Sequence, residues 1–385
     1  MIITSTVSPA LRAGLHFLGM WPSDSSTIHW LSFMLSMLIV QYFQYVYTFG
    51  HLKMSELSNL VDCLIVSLDY SLTLFKMASL WIHRRIFHKI LADMDNDWRE
   101  CINIHQHLHM MTIKANISHF ISNTLISFNG IVAVLYLLGD YVIHSVFLTT
   151  DYNDTLRQLP IKIQLPFETQ QSPIFECLVV TLVLHVTMHA CTIAILNALI
   201  LTVVFHVSGQ IDIMCHEFKN ISKSALHKSS ENLFGMLIER HNRIILFSKN
   251  IESLFSFIAL MQVVWNTLVI CCLGFVVIIS IHNEAGVFVI VKTVSGYFVV
   301  MTEAFVICFA GEYLSLKSKL IGNAIYETMW YDMPADQSKI IVFIIMRCQK
   351  QLTITAGKMM DMSFGTFTSI MKASASYISV LNAVY

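Results

Sequence analysis

Hydrophobic positions in this chain fall in long, nearly continuous runs. Seven regions stand out, at 28–49, 60–82, 117–139, 174–205, 254–281, 286–311 and 338–384. A helix crosses a bilayer core with roughly 20 apolar residues, so each of the first six regions is long enough to span. The seventh is interrupted by Thr355-Ala356-Gly357-Lys358. Its first arm, IIVFIIMRC, is too short to cross, whereas its second, 361–384, is long enough. The pattern predicts an all-α polytopic membrane protein with seven transmembrane helices, the last of them split.

The stretches between the runs have a pattern of their own. In ENLFGMLIERHNRIILFSKNIESLFSF (231–257), Leu233, Leu237, Ile244, Phe247, Ile251 and Leu254 recur at helical spacing, with charged residues on the intervening turns. This predicts an amphipathic helix that runs straight into span five. The run at 174–205 is also longer than a bilayer requires. Spans four, five and six are therefore expected to project from the membrane and pack there, an arrangement that suits subunit assembly better than catalysis.

Composition agrees with a membrane location. Apolar residues make up 55% of the 385 positions and charged residues 13%, about half the usual quarter. The mean hydropathy is +0.64. A net charge of −1 gives no basic character to attract nucleic acid. The nine cysteines form no CxxC pair, and most sit inside apolar runs, as small buried hydrophobes do; an extracellular disulfide stays open. The first 27 residues hold one basic residue, Arg12, and no signal-peptide pattern, so the first span is expected to act as its own insertion signal.

Lys and Arg are distributed unevenly. Arg12, the 83–116 connection (Arg84, Arg85, Lys89, Arg99, Lys114), the 206–253 connection (Lys219, Lys223, Lys228, Arg240, Arg243, Lys249) and the 312–339 connection (Lys317, Lys319, Lys339) fall on one side. Only Lys53, Arg157, Lys162 and Lys292 fall on the other. The positive-inside rule then places the N-terminus in the cytosol and Tyr385 outside. The 141–173 connection would be extracellular, and its Asn153-Asp154-Thr155 is a candidate glycosylation acceptor. The sequons at Asn116 and Asn220 would be cytosolic and silent.

Catalytic and metal motifs are weak or missing. Asp93, Asp95 and Asp97 begin like a calcium loop, but Trp98 and Ile104 stand where that loop needs Gly and Glu. His105, His107 and His109 alternate and spread over more than one helix face. His185 and His189 have i, i+4 metal-ligand spacing without an evident third ligand, which suits polar residues lining a cavity or bonding a neighbouring helix. Lys76 is placed where it can snorkel from the end of span two. No phosphate loop, GxSxG elbow or HExxH is present, and nothing indicates an enzyme or a cofactor.

Several segments, in order, resemble the insect odorant receptor family: LHFLGMWP (15–22), SLWIHRRIFHKILADMDNDW (79–98), GQIDIMCHEFKNI (209–221), LIERHNRIILFSKNIESLFS (237–256), WYDMP (330–334), MRCQKQLTITAGK (346–358) and FGTFTSIMKASASYISVL (364–381). The resemblance covers nearly the whole chain. It implies a tetrameric, ligand-gated, non-selective cation channel in the plasma membrane of a sensory neuron dendrite, with each subunit's last helix at the pore. It also implies a shared odorant co-receptor as partner, small volatile ligands, permeant cations and surrounding lipid. This chain lacks the co-receptor's long cytosolic insertion and so resembles the odorant-specific subunit.

The resemblance divides the chain into a six-helix region with the odorant pocket, 1–311, and a cytosolic anchor with the split pore helix, 312–385. Aligning the SYISVLNAVY ending places Val380 and Val384 at the gate, with Tyr377 beside them. The two valines are i, i+4 and share a face at the helix's outer end. Rings of branched apolar side chains there would close a pore by excluding water. A chain that stops at Tyr385 is consistent with an uncrowded mouth. The family's pocket, among spans two, three, four and six, maps by depth onto Leu68, Tyr70, Ser71, Asn129, Val134, Val179, Leu182, Tyr297 and Phe298.

Three other readings compete. A gustatory-type homomeric channel shares the architecture, but its usual Gln-Phe after the terminal Tyr is replaced by Asn382-Ala383. A metabotropic seven-helix receptor has the opposite orientation and DRY and NPxxY motifs, both missing. A secondary transporter would show internal repeats with paired broken helices.

Overall fold

The computed structural model describes residues 5–22, 26–50, 57–147, 159–224, 230–282, 287–328 and 330–384. Asn153 lies outside the described residues. Ten α-helices follow one another among those described: α1 (Pro9–Phe17), α2 (Ser26–Gly50), α3 (Leu57–Ile82), α4 (Arg84–Ile102), α5 (His105–Phe147), α6 (Ile174–Ser224), α7 (Ser230–His282), α8 (Val287–Tyr326), α9 (Ala335–Cys348) and α10 (Phe364–Val384). Two-residue strands β1 (Thr355–Ala356) and β2 (Met360–Asp361) pair antiparallel between α9 and α10.

The first six expected apolar runs lie on helices, most of which overrun them, and the seventh is divided between α9 and α10. At 1.5 Å per residue the 51 residues of α6 extend about 77 Å, more than twice the thickness of a bilayer core. The 53-residue α7 is equally long and contains the amphipathic stretch and span five in one unbroken helix, as the spacing predicts. By length and composition, α3, α5, α6, α7 and α8 each contain a segment able to cross a membrane. Helices α2 and α10, which coincide with the first and last expected spans, are more polar. Helix α2 interleaves Gln41, Gln44 and Thr48 with its leucines, and α10 carries six Ser and Thr. Helix α8 runs through position 311 without a break, so the last segments continue directly from the bundle.

Helix α6 is the central element. From Thr192 to Ile211 every residue is buried, as expected of a helix that is apolar around its whole circumference. Helices α5, α7 and α8 pack on it, and α3 packs on α7. The end of the bundle that holds the basic connections is closed by shorter amphipathic pieces. Helix α4 buries Phe87, Ile90, Leu91, Met94, Trp98 and Cys101, one stripe at helical spacing. Helix α1 starts with Ser8 accepting from the Leu11 N–H at 3.1 Å and Pro9 at its first position, and buries Leu11 and Leu15. Just before it, the buried Thr6 hydroxyl meets His206 Nδ1 at 3.0 Å and accepts from Trp98 Nε1 at 2.9 Å.

Ion pairs fasten the projecting ends of the long helices. Arg243 of α7 grips Glu100 of α4 with two bonds, at 2.6 and 3.0 Å. Asp212 of α6 joins Lys114 of α5 at 3.0 Å and Lys317 of α8 at 2.8 Å. Asp97 of α4 meets the buried His206 of α6 at 3.1 Å. Thus the acidic run at 93–97 belongs to a helix, and its Asp97 works in pairing. Among the described residues no cluster of three metal-ligating side chains occurs, and Cys101, Cys177, Cys191, Cys215, Cys271, Cys272, Cys308 and Cys348 are free thiols.

The interruption in the last span is a folded turn. Gly357 (φ +57°) and Lys358 (φ +60°) carry the chain through the left-handed region between β1 and β2. The Gly357 N–H donates to the Ser256 carbonyl at 2.9 Å, and a Cβ on it would stand 2.7 Å from Leu260. Both backbone angle and space therefore select glycine. The turn docks on α7 and sets the starting point of α10.

Candidate functional site

Two regions bear on function: the middle of the bundle between α3, α6 and α8, and the outer surface of α10. In the first, Tyr70 of α3 is 2% exposed and stacks on His189 of α6, with ring centroids 3.9 Å apart and planes 14° from parallel. One turn up α6, His185 stacks on the same ring at 5.8 Å. His189 Nε2 lies 3.0 Å from the Thr73 hydroxyl. His189 thus bonds a neighbouring helix, one of the roles the pair's spacing suggested. Leu182 is buried further up α6, while Leu68, Asn129, Val134, Val179 and Tyr297 are half-buried. The Asn129 amide donates to its own helix at Leu125.

The structure does not gather all nine of the expected pocket residues. Ser71 turns toward α2, where its hydroxyl meets Gln41 Nε2 and Tyr45 Oη, each at 2.8 Å. Phe298 is 65% exposed on the outside of α8, touching Tyr297 edge to face. Tyr70 and Leu182 remain the buried members, on α3 and α6.

One expectation is corrected. Lys76 does not snorkel to an end of the bundle. It is buried and ion-paired with Glu303 of α8, the two side chains being 3% and 4% exposed. Gln262 of α7 donates to the Glu303 carbonyl at 2.9 Å, so three helices meet at this point. A buried charge with an opposite charge within reach avoids the cost of isolation. A single Glu in span six and a single Lys in span two were the available signal, and only packing brings them together.

In the second region, α10 has two distinct faces. Ile370 and Ser374 are buried, and Phe367, Met371 and Ile378 are half-buried, forming one stripe against α7 and α8. Cys271 of α7 reaches the Ser374 carbonyl at 3.8 Å. A Cβ on Gly274 would stand 2.2 Å from Ile378, so the absence of a side chain lets α10 approach α7 closely. Phe305 of α8 contacts Phe364 and Phe367, with centroids at 5.9 and 5.7 Å. The opposite face presents Thr368, Lys372, Ser376, Tyr377, Ser379 and Val380, all exposed. Tyr377 and Val380 are each 58% exposed, and the backbone of α10 carries Val384 one turn beyond Val380.

At the basic end lies a cleft of about 140 Å³ lined by Lys89, Asp93, Asp97, His206, Arg240 and Arg243, among others. Burial is the main cause raising the Asp93 carboxyl above its ordinary value, with Lys89 opposing it. Charges of both signs on three helices make this an ion-paired seam.

A bundle of membrane-length helices, with a buried polar cluster at its centre and a polar-faced last helix at its surface, defines a polytopic receptor or channel. A model of the family described as 7tm Odorant receptor matches residues 56–375, and the chain belongs to that family. Odorant receptor 22c of Drosophila melanogaster is 25% identical over 239 residues, 58% of this chain and 57% of that protein. Odorant receptor 13a of the same species is 29% identical over 162 residues, 39% and 38% of the two chains. The chain therefore spans about half the length, or less, of these relatives. Odorant receptor 82a aligns over 381 residues at 19% identity, 97% of each chain. The insect olfactory receptor OR5 from Machilis hrabei, solved in complex with eugenol, shares the fold, with a TM-score of 0.79, 14% identity and coverage of 98% of this chain and 96% of that one.

Proposed function

We propose that this chain is the odorant-specific subunit of a heteromeric, odorant-gated, non-selective cation channel in the plasma membrane of insect olfactory neurons. Four subunits surround one pore, a shared co-receptor supplies the others, and the N-terminus is cytosolic. No enzymatic step or cofactor takes part. OR5 of Machilis hrabei is described in complex with eugenol, a small volatile of the kind this pocket would take. Its binding favours the open arrangement only by the difference in affinity between the two states.

The observation that carries the reading is the outward face of α10. Lys372 lies eight residues in from Phe364, on the order of 12 Å along the helix. It shares a face with Thr368, Ser376 and Ser379, at i±4 and i+7. Serine and threonine hydroxyls can satisfy themselves on their own helix, as Ser379 does on the Ala375 carbonyl at 3.0 Å. An exposed lysine ammonium has no such recourse in lipid. A water-filled axis beside α10 accommodates this face, with Tyr377, Val380 and Val384 narrowing its outer end as a hydrophobic gate.

The test is whole-cell current in cells expressing the chain with and without the co-receptor, against an odorant panel and under G-protein blockade. Current that needs the co-receptor and survives blockade is expected. Current from this chain alone would favour the gustatory-type homomer, and loss under blockade the metabotropic receptor. Val384→Lys is expected to change conductance or ion selectivity. Unchanged currents through that variant would remove the gate from this position.

A further inference from the structure

Resting on the reading of this region as the odorant pocket, we infer that Tyr70 and His185 form a hydrogen-bonding subsite that selects odorants carrying a hydroxyl group. The Tyr70 Oη and the His185 Nε2 are both buried, and neither finds a hydrogen-bond partner among the described residues. Their rings are stacked 5.8 Å apart at 27°, one on α3 and the other on α6. The neighbouring histidine is satisfied, since His189 Nε2 has Thr73 at 3.0 Å.

Burying a polar atom without a partner is costly, and leaving one unmade is worse than never having it. Replacing Tyr by Phe would remove the cost on α3 at no loss of stacking on His189. Tyr70 therefore makes sense as a group whose partner arrives with the ligand. A neutral hydroxyl accepts from the Tyr70 O–H and donates to an imidazole nitrogen, satisfying both atoms at once. A carboxylate is disfavoured by Asp69, whose Oδ2 lies 3.9 Å from His189 Nδ1. A hydrocarbon of the same size leaves both atoms unsatisfied.

Two probes of matched shape test this, 4-methylphenol and p-xylene. Their dissociation constants are measured on the purified full-length chain in lipid nanodiscs, with empty nanodiscs as the blank. Tyr70→Phe is expected to lower the affinity ratio of 4-methylphenol over p-xylene about tenfold, the worth of one hydrogen bond, while p-xylene binds as before. His185→Phe should lower the same ratio independently, and retained p-xylene binding reports that each variant is folded. A ratio unchanged in both variants, or no binding of 4-methylphenol to the unmodified chain, overturns the subsite. These measurements need no current. Loss of the channel reading with the ratio effect intact would leave the subsite standing, and a working channel without the ratio effect would remove it alone.

Discussion

Helices α2 and α10 both lie on the outside of the bundle, yet they turn opposite chemistry outward. Along α2 the exposed positions from 31 onward include Leu31, Leu35, Leu38, Ile39, Tyr42 and Phe49, while Gln41, Gln44 and Thr48 face inward. Gln41 is held there by the Ser67 carbonyl at 2.9 Å and the Ser71 hydroxyl at 2.8 Å. Helix α10 reverses this, with Ile370 and Ile378 turned in and Thr368, Lys372, Ser376 and Ser379 turned out. A helix against lipid hides its polar groups among its neighbours. A helix that hides its apolar groups instead suits the water-filled axis proposed above. On that proposal the two helices face two different solvents.

The interior against which both faces are read provides the largest expected effect. Lys76→Met leaves Glu303 buried without its partner, which should cost about 3–5 kcal/mol. Thermal unfolding of the purified chain measures the loss, and Lys76→Met combined with Glu303→Leu should recover much of it. If Lys76→Met is neutral, the pair does not hold α3 to α8. Next comes a direct contrast between the faces. Leu35→Arg sets a charge against lipid, at about 2.5–3.5 kcal/mol, and should reduce the amount of chain reaching the cell surface. Ser376→Arg should reach the surface normally and alter the current instead. Equal surface levels for the two would erase the distinction drawn here.

A smaller effect is expected where α10 meets its support. Gly274→Val would force Ile378 aside at about 1–3 kcal/mol and displace the outer half of α10. Its mark should be altered gating, seen as a shifted dose–response midpoint, with surface expression largely retained. The smallest is Leu38→Ala on the lipid face of α2, expected to stay within about 0.5 kcal/mol because the side chain makes few packing contacts to lose. A large destabilisation there would mean that the α2 face is covered by protein, and the comparison would need a different partner surface.

Much of this was legible before any coordinates. Long apolar runs allow only helices in lipid, because every backbone donor and acceptor must be satisfied within the segment. That is why the first six runs reappear on α2, α3, α5, α6, α7 and α8, and the second arm of the seventh on α10. The period of 231–257 likewise foretold the first half of α7, and TAGK foretold a break before α10. The pocket was less legible. Depth along a helix can be counted from sequence, but the direction of a side chain depends on how the helix is rotated among its neighbours. Tyr70 and Ser71 are adjacent, at one depth, and point to α6 and α2 respectively. Phe298 has the right depth and faces outward.

The sequence by itself determined the class of molecule, the order of its long apolar helices and the family, because hydropathy and ordered local motifs are properties of contiguous residues. Only the tertiary structure decided that Lys76 meets Glu303, 227 positions away, that His185 stacks on Tyr70, and that α10 presents lysine and serine outward while Gly274 admits Ile378. Each of these depends on the rotation and spacing of helices packed side by side, and no single helix encodes them alone.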